Sequence, residues 1–468
     1  MLSGKNFGSL TPQRGLRQGD PLFPYLFLLC TEAFSSLLHH AERVGLIRGV
    51  LVCRAAPAIS HLLFADDTLI FCQASLDCVS TVKGVLETYR MASGQEINFS
   101  KSSVAFSRNT VESLCLSITA ALSIRKENKM ELYLGLPSRV ARSKRELFST
   151  IRDRIWNKIT GWHEKLLSQA GKQVLIQSVI QAIPSYAMGC FKLPGSLLQE
   201  IHSMTSNFWW GNQGKNKIHW VSWSRVCESK LSGGLGFRKL HLFNLAMLAK
   251  QLWRILRYPD RLLSRVLKAR YFPNGDIFSA TAGRRPSFTW RGLMAAHSLF
   301  LAGCRRRVGS GELIHAWLDP WLPRPRTFRP ITPGPVSGGG LYVSELMDPV
   351  VGEWDAQRVR EIFWPEDSEL ILSLPLSRTG EEDVWVWHYT KNGMFSVRSA
   401  YHLACELEDR PCSSDREPRD HWWWRKLWQA SLPNKIKVFI WRVCHNALPT
   451  GVNLAKRLRD SPGECPLC

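Results

Sequence analysis

The sequence predicts an α+β fold in which helices outnumber strands. Two observations carry this: long stretches with apolar residues three and four apart, and short apolar runs bounded by polar turns near the start. A third observation limits the class. No apolar run approaches the roughly 18 to 20 residues needed to span a bilayer, and no basic, apolar and small-residue leader opens the chain. We therefore expect an intracellular protein, nuclear or cytoplasmic, with no membrane partner.

The net charge of +22 over 468 residues is unevenly placed. Residues 1–100 are neutral, residues 101–340 carry a net +25, residues 341–420 carry −9 and residues 421–468 carry +6. Because lysines and arginines laid on phosphates release counterions, the basic stretch favours a nucleic-acid partner over a merely solvated surface. The 13 cysteines form no disulfide framework, which favours a reducing compartment.

The first element is a helix. Asp20 followed by Pro21 is typical of a helix start, because Asp can cap the helix and Pro suits its first position. The apolar run from Leu22 to Leu38 has few β-branched residues and predicts a buried helix that ends near His39 or His40.

A pair of acids stands in the second element. Two short apolar runs flank Ala65-Asp66-Asp67 within residues 59–72, which predicts a hairpin with its acids at the turn. One interpretation is turn chemistry, since Asp bonds readily to its own backbone. The other is metal binding. Like charges at the edge of a core need a cation, and paired Mg²⁺ ions held by carboxylates perform nucleotidyl transfer.

The remaining elements follow the same patterns. Residues 75–92 predict a helix that ends at Ser93-Gly94, and Ile97–Phe99 begins a strand-like piece that runs into Lys101 and residues 104–106. Residues 132–137 predict a short strand with a Gly/Pro stop, and residues 271–340 are rich in loops. Further helical patterns cover residues 143–183, 196–210, 240–270 and 421–460. Residues 323–340, with Pro and Gly throughout, predict a linker.

These motifs resemble those of a known family. Phe64-Ala65-Asp66-Asp67 resembles the catalytic box of reverse transcriptases, residues 14–27 (RGLRQGDPLFPYLF) resemble the preceding box and residues 93–101 (SGQEINFSK) the following one. Residues 132–137 resemble the primer grip. The order and spacing are most similar to non-LTR (LINE-type) retrotransposon reverse transcriptases of plants, and residues 385–468 resemble the zinc-binding domain appended to them.

The resemblance implies roles for single residues. Asp66 and Asp67 would bind two catalytic Mg²⁺ ions, and Arg17, Gln18 and Gly19 would belong to the box that contacts the template and the nucleotide. Lys101 would lie near the incoming triphosphate, with an exposed lysine at a strand end as the alternative. Ala65 would face the primer end, with a small residue for a tight hairpin as the alternative.

Two expected sets of ligands are incomplete in this sequence. The family uses a third Asp upstream of the Gln-Gly box, and residues 1–13 contain no acid. Phe23 also stands where the family usually has Ser. We therefore expect this polypeptide, a fragment, not to extend a primer by itself. Cys465 and Cys468 form one CxxC half of a zinc site that wants four ligands, so tight zinc binding is not expected.

Aromatic and basic residues leave alternatives open. All 19 tryptophans lie at or after Trp156. Helical spacing favours core packing for Trp156, Trp162 and Trp253, and also for Cys444 and His445. For Trp209, Trp210, Trp220 and Trp223, base stacking and core packing are equally favoured. Residues 305–307 and 324–329 offer arginines for phosphate contacts.

The resemblance implies a domain order and a function. The fold would be α+β, with four regions: a partial polymerase palm (1–137), a basic helical thumb or connection region (138–322), a Pro/Gly linker and acidic stretch (323–384), and a mostly helical zinc-binding domain that stops at its CxxC half-site (385–468). The function would be RNA-directed DNA synthesis for target-primed retrotransposition, with an RNA template, a DNA primer or target and dNTPs as partners. One alternative is a non-catalytic remnant that binds nucleic acid, and another is the product of a pseudogene, with no selected role.

Overall fold

The computed structural model describes most of the chain: residues 19–126, 132–137, 147–163, 167–211, 218–335, 340–348, 352–376, 381–408 and 421–457. The chain forms two compact units. Unit 1 comprises Met1–Arg139 and Asp260–Asn274, and unit 2 comprises Val140–Pro259 and Gly275–Cys468. The described part is predominantly helical with small sheets, as the predicted α+β class requires.

Unit 1 combines helices with short strands. Its helices are α1 (Phe23–Arg43), α2 (Leu76–Ser93), α3 (Glu112–Leu122) and α10 (Leu262–Tyr271), and its strands are β1 (His61–Phe64), β2 (Asp67–Ile70), β3 (Ser103–Val104), β4 (Arg125–Lys126), β5 (Leu132–Tyr133) and β6 (Leu136–Pro137). The pairs β1–β2 and β5–β6 are antiparallel, and β3–β4 is parallel.

Helix α1 starts two residues later and ends three or more residues later than the sequence predicts. Asp20 accepts a hydrogen bond from the backbone N–H of Leu22, and Pro24 stands in the first turn. Only Phe34, Leu38 and Ala41 are buried, all of them in the second half of the helix. The expectation of a buried helix is therefore wrong for its first half, because the described buried cluster packs only against the second half.

Helix α2 agrees closely with the sequence. The Ser75 hydroxyl accepts from the backbone N–H of Cys78, a standard N-cap, and Gly94 ends the helix with φ 70°. The strand-like piece predicted from Ile97 into residues 104–106 forms only in part: residues 97–102 are not strand, and β3 covers Ser103–Val104.

Unit 2 is built mainly of helices. Its first half contains α4 (Ser149–His163), α5 (Gln169–Leu175), a π-helical turn (Ile176–Ile180), α6 (Ser185–Met188), α7 (Gly195–Trp210), α8 (Trp223–Val226) and α9 (Leu240–Arg257). Its second half contains α11 (Phe288–Ala295), α12 (His297–Leu301), β7 (Cys304–Arg307), α13 (Ala356–Ile362), α14 (Pro365–Leu372), β8 (Val384–Trp387), α15 (Val397–Glu408), α16 (His421–Gln429), α17 (Asn434–Cys444) and α18 (Gly451–Ala455). Strands β7 and β8 pair antiparallel.

The Pro/Gly-rich stretch differs from the linker that its composition predicts. Phe328 is fully buried, and Arg324 pairs with the buried carboxylate of Asp367 at 2.6 Å. The same carboxylate accepts from the backbone N–H groups of Ile331 and Thr332. Proline and glycine predict irregular backbone but not its burial. Residues 323–335 are irregular and largely exposed, and are anchored to unit 2 at Phe328 and Thr332.

Candidate active site

The acid-bearing hairpin is present as predicted. In its register Phe64 pairs with Asp67, so the turn consists of Ala65 and Asp66. Ala65 has φ 48°, in the left-handed region that non-glycine residues rarely adopt. Such strain costs of order 1–3 kcal/mol and is typical of functional turns. The sequence thus places a strained residue directly before its two acids.

The hairpin rests on the core of unit 1. Leu63 and Ile70 on its inner face pack against a buried cluster from α1 and α2. Asp66 and Asp67 are exposed at the tip, as is Phe64 beside them. The two carboxylates therefore lie in solvent, not at the buried edge of a core as the sequence suggested, and water screens part of their repulsion.

A polar network, which sequence reasoning missed, ties β1 to α1. The imidazole of His61 contacts the Ser35 hydroxyl at 2.8 Å through Nε2 and the Ser60 hydroxyl at 3.1 Å through Nδ1. Ser60 in turn donates to a carboxylate oxygen of Glu42 at 2.8 Å. Burial, and then the neighbouring His39, lower the pKa of His61. The signal in the sequence was a histidine that opens an otherwise apolar strand.

The other predicted site residues are only partly described. Gly19 has φ 90° with open space around its Cα, as a close backbone approach would need. Arg17 and Gln18 lie outside the described residues. Lys101 is exposed in a turn two residues before β3, where its backbone N–H donates to the carbonyl and side-chain oxygens of Asn98. These hydrogen bonds join it to its own turn and not to the acid pair.

The donor chemistry of the acid pair suits Mg²⁺, but the set is small. Carboxylate oxygens are the ligands that hard divalent ions prefer. In the part of the chain that the structure describes, no group of three or more His, Cys, Asp or Glu side chains is placed to hold a metal ion. Asp66 and Asp67 are thus two ligands to which the described residues add no third. Cys465 and Cys468, the predicted zinc half-site, lie outside the described residues.

The neighbours Cys444 and His445 have different surroundings in the structure. Cys444 is exposed, so the expectation of core packing is wrong for it. The ring of His445 stacks on Trp424 at 5.3 Å and bonds to the carbonyl of Gly233 at 2.7 Å. Burial lowers the pKa of His445, although the bond to Gly233 opposes this.

Most of the tryptophans in question pack inside unit 2. Trp209 and Trp210 are buried, and Trp223 stacks on Phe237, which decides those three in favour of packing. Trp253 is buried as expected. Trp156 is 55% exposed, so core packing was the wrong prediction for it.

Three of the arginines predicted to contact phosphates have protein partners instead. Arg305 is half-buried and donates to the backbone carbonyls of Arg306 and Trp321. Arg307 is exposed and pairs with Glu381. With Arg324 held by Asp367, these side chains have structural partners within their own unit.

Two protein-family models match parts of this chain. A model described as reverse transcriptase (RNA-dependent DNA polymerase) matches residues 1–136, which include the acid hairpin. A model described as zinc-binding in reverse transcriptase matches residues 395–468. The first match makes the acid hairpin part of a reverse transcriptase domain. The chain belongs to the non-LTR retrotransposon reverse transcriptase family.

Three relatives illustrate the extent of the similarity. An uncharacterized mitochondrial protein of Arabidopsis thaliana is 44% identical over 30% of this chain and 93% of its own length. A putative ribonuclease H protein of the same plant is 28% identical over 71% of this chain and 54% of its own. The uncharacterized 149 kDa protein of transposon TX1 of Xenopus laevis is 25% identical over 97% of this chain and 40% of its own. The chain thus spans about half the length, or less, of the two longer relatives.

Its described helices include none that could cross a membrane.

Proposed function

We propose that the chain contributes the catalytic acid pair of an RNA-directed DNA polymerase that acts in target-primed retrotransposition. The observation that carries the proposal is the two-residue turn that presents Asp66 and Asp67 to solvent from a hairpin fixed on α1 and α2. Membership of the family supports a nucleic-acid template, dNTP substrates and a divalent metal ion.

Asp66 and Asp67 would hold Mg²⁺, which supplies activation of the attacking hydroxyl and stabilisation of the leaving diphosphate. The protein's own part is positioning. The network of Ser35, Ser60 and His61 fixes the start of β1 against α1, four residues before the turn. Ala65, strained at φ 48°, sets the direction in which the following carboxylates point.

The remaining roles follow the resemblance. Arg17, Gln18 and Gly19 would contact the templating base pair, and Lys101 would stabilise the triphosphate. We assign residues 1–137 to a partial palm, 138–322 to a basic thumb-like region and 385–468 to the zinc-binding domain, in which Cys465 and Cys468 are half of the ligand set. Residues 323–384 connect these regions and are themselves packed in part.

Primer extension on an RNA template with Mg²⁺ tests the proposal. We expect no synthesis by the 468-residue polypeptide, because two carboxylates under-coordinate a metal pair. We expect synthesis once an in-frame upstream segment that carries the third Asp is joined to it. Asp66→Asn in the extended protein should abolish that synthesis, whereas Asp77→Asn, an exposed acid in the first turn of α2, should not.

The outcomes separate the parts of the proposal. Synthesis by the 468-residue chain that Asp66→Ala abolishes would show that two carboxylates suffice. Synthesis by the extended protein that survives Asp66→Asn would exclude the role given to this pair. For the zinc half-site, stoichiometric zinc retained through dialysis against a chelator would contradict weak binding.

A second candidate function is binding of nucleic acid without catalysis. The observation that favours it is the net charge of +25 in residues 101–340. Salt-dependent RNA binding by the chain, together with an extended protein that still fails to synthesise DNA, would favour this function over the first.

A further inference from the structure

Helix α16 has two contrasting sides. Trp424, Leu427 and Trp428, at positions i, i+3 and i+4, face the rest of unit 2: Leu427 is buried, Trp424 stacks on His445 at 5.3 Å and Trp428 lies under the Lys230 ammonium at 4.7 Å. The side that these residues leave outward carries Trp422, Trp423, Arg425, Lys426 and Gln429, all of them exposed.

The exposed side presents aromatic rings next to cations. Trp422 is 57% exposed and Trp423 43%, and their rings stand edge to face at 6.0 Å. The Lys426 ammonium lies 4.9 Å from the centre of the Trp422 ring. Exposed tryptophans are costly to leave in water, and here two occur together on a helix whose other tryptophans are all engaged.

Asp415, Glu417 and Asp420 precede α16 in the sequence, but from the start of the helix onward the described residues are basic. Residues 421–457 hold seven lysines and arginines and no aspartate or glutamate. A second copy of this surface would be repelled by like charge. A membrane would need an apolar stripe to insert, and the outward side of α16 interleaves tryptophan with arginine, lysine and glutamine. A nucleic acid, a polyanion whose bases have flat apolar faces, fits both the positive charge and the exposed tryptophans.

We propose that the outward side of α16 is a binding site for single-stranded nucleic acid, in which unpaired bases stack on Trp422 and Trp423 and phosphates meet Arg425 and Lys426. The inference rests on the proposed function for its partner class and adds the place of contact, about 355 residues along the chain from the acid pair. The contact is tolerant of sequence, since every base offers a face to stack.

The test measures fluorescence anisotropy of labelled single strands of about 20 nucleotides, oligo(U) and oligo(dT), with the 468-residue chain over a range of KCl concentrations. The double variant Trp422→Ala/Trp423→Ala should weaken binding by about tenfold or more, and Trp422→Phe/Trp423→Phe should retain most of it. The matched control is Trp364→Ala, whose ring is 49% exposed in the acidic stretch.

A second double variant tests the basic side chains of the proposed site. Arg425→Glu/Lys426→Glu should weaken binding and make it less sensitive to salt, with the slope falling by about 0.7 for each phosphate that the variant no longer neutralises. The control is Lys391→Glu, at an exposed lysine outside α16 and within residues 341–420, which carry a net charge of −9. A 5-iodouracil strand should crosslink within residues 421–429.

Several results would overturn the inference: affinity unchanged in the double tryptophan variant, an equal loss in Trp364→Ala, a wild-type chain that does not bind single strands, or a wild-type dimer that the double variant converts to monomers. Binding of vesicles that depends on Trp422 and Trp423, without binding of nucleic acid, would equally overturn it. None of these decides whether an extended protein synthesises DNA, so the proposed function stands or falls separately.

Discussion

Unit 1 and unit 2 bury their apolar residues to different depths. In unit 1 the first half of α1 leaves large side chains exposed, Tyr25, Leu28 and Leu29 among them, and the buried cluster beneath the hairpin is small. In unit 2 several tryptophans are completely buried, Trp290, Trp387 and Trp441 among them. The acid pair therefore lies on the more open unit, and the tightly packed unit carries the proposed stacking surface. Variants in the two units should consequently differ in what they damage.

The largest effect should come from the core of unit 2. Trp441 is fully buried, and its indole N–H donates to the carbonyl of Gly233 at 2.8 Å. Trp441→Ala should lower the free energy of unfolding by about 4 kcal/mol, because it opens a cavity and removes that hydrogen bond. Urea unfolding followed by tryptophan fluorescence measures it, since all 19 tryptophans belong to unit 2. Trp422→Ala, at an exposed position, should change stability by less than about 0.5 kcal/mol; equal losses would refute the contrast.

The next effect concerns a buried charge. Asp367 is completely buried and accepts from Arg324 and from Thr332, through both the backbone N–H and the hydroxyl. Asp367→Ala should cost about 3 kcal/mol, because it leaves these donors without their acceptor. The exposed neighbour Glu366→Ala is the control and should cost a few tenths. A similar cost for both would mean that the helix end, and not the buried carboxylate, matters.

A pH-dependent effect of intermediate size is expected at His202. Burial lowers its pKa to about 4, against roughly 6.5 in an unfolded chain. Between about pH 4 and pH 6.5 the unfolded chain binds a proton at this imidazole and the folded protein does not. The contribution of His202 to the free energy of unfolding is therefore full above about pH 6.5 and is lost as the pH falls toward 4. The loss between about pH 7 and pH 5 should be about 2 kcal/mol.

His202→Phe removes that dependence, and urea unfolding at the two pH values measures it. His388 and His445, whose pKa values burial also lowers, act in the same direction, so the slope should decrease without vanishing. His402→Phe, at an exposed position, should leave the slope unchanged. An unaltered slope in His202→Phe would contradict the assignment.

The smallest effect should appear in unit 1, at the strained turn. Ala65→Gly relieves a positive φ and should stabilise the hairpin by up to about 1 kcal/mol, whereas Ala65→Val should destabilise it by more than about 1 kcal/mol. Hydrogen exchange of the hairpin amides measures both, for example that of Phe71, which bonds to the carbonyl of Ser60. Faster exchange in Ala65→Gly would show that the turn is not strained.

The sequence predicted the local elements well where the signal was local. Two short apolar runs on either side of the acids predicted the hairpin around Asp66 and Asp67, and Ser93-Gly94 predicted the end of α2. It failed where burial depends on distant partners. The apolar first half of α1 forms a helix whether or not a neighbour covers it, and Phe328 is buried although the residues around it are typical of a linker.

The candidate site was predicted in the same uneven way. The acid pair follows from a short motif, since the turn that presents it is local. The polar network of Ser35, Ser60 and His61 joins residues 26 apart, and no local pattern indicates it. Likewise the inward side of α16 depends on a distant residue, because Gly233, nearly 200 residues earlier, lies against the ring of Trp424.

The discontinuity of unit 1 also has a consequence for biosynthesis. Its segment Asp260–Asn274 is separated from Met1–Arg139 by residues of unit 2, and the side chain of Arg270 donates to the carbonyl of Val52. At roughly 5–20 residues per second, a ribosome that has completed the hairpin region needs on the order of ten seconds to reach α10. The region that bears the acid pair must therefore wait, partly assembled, while most of the first half of unit 2 emerges.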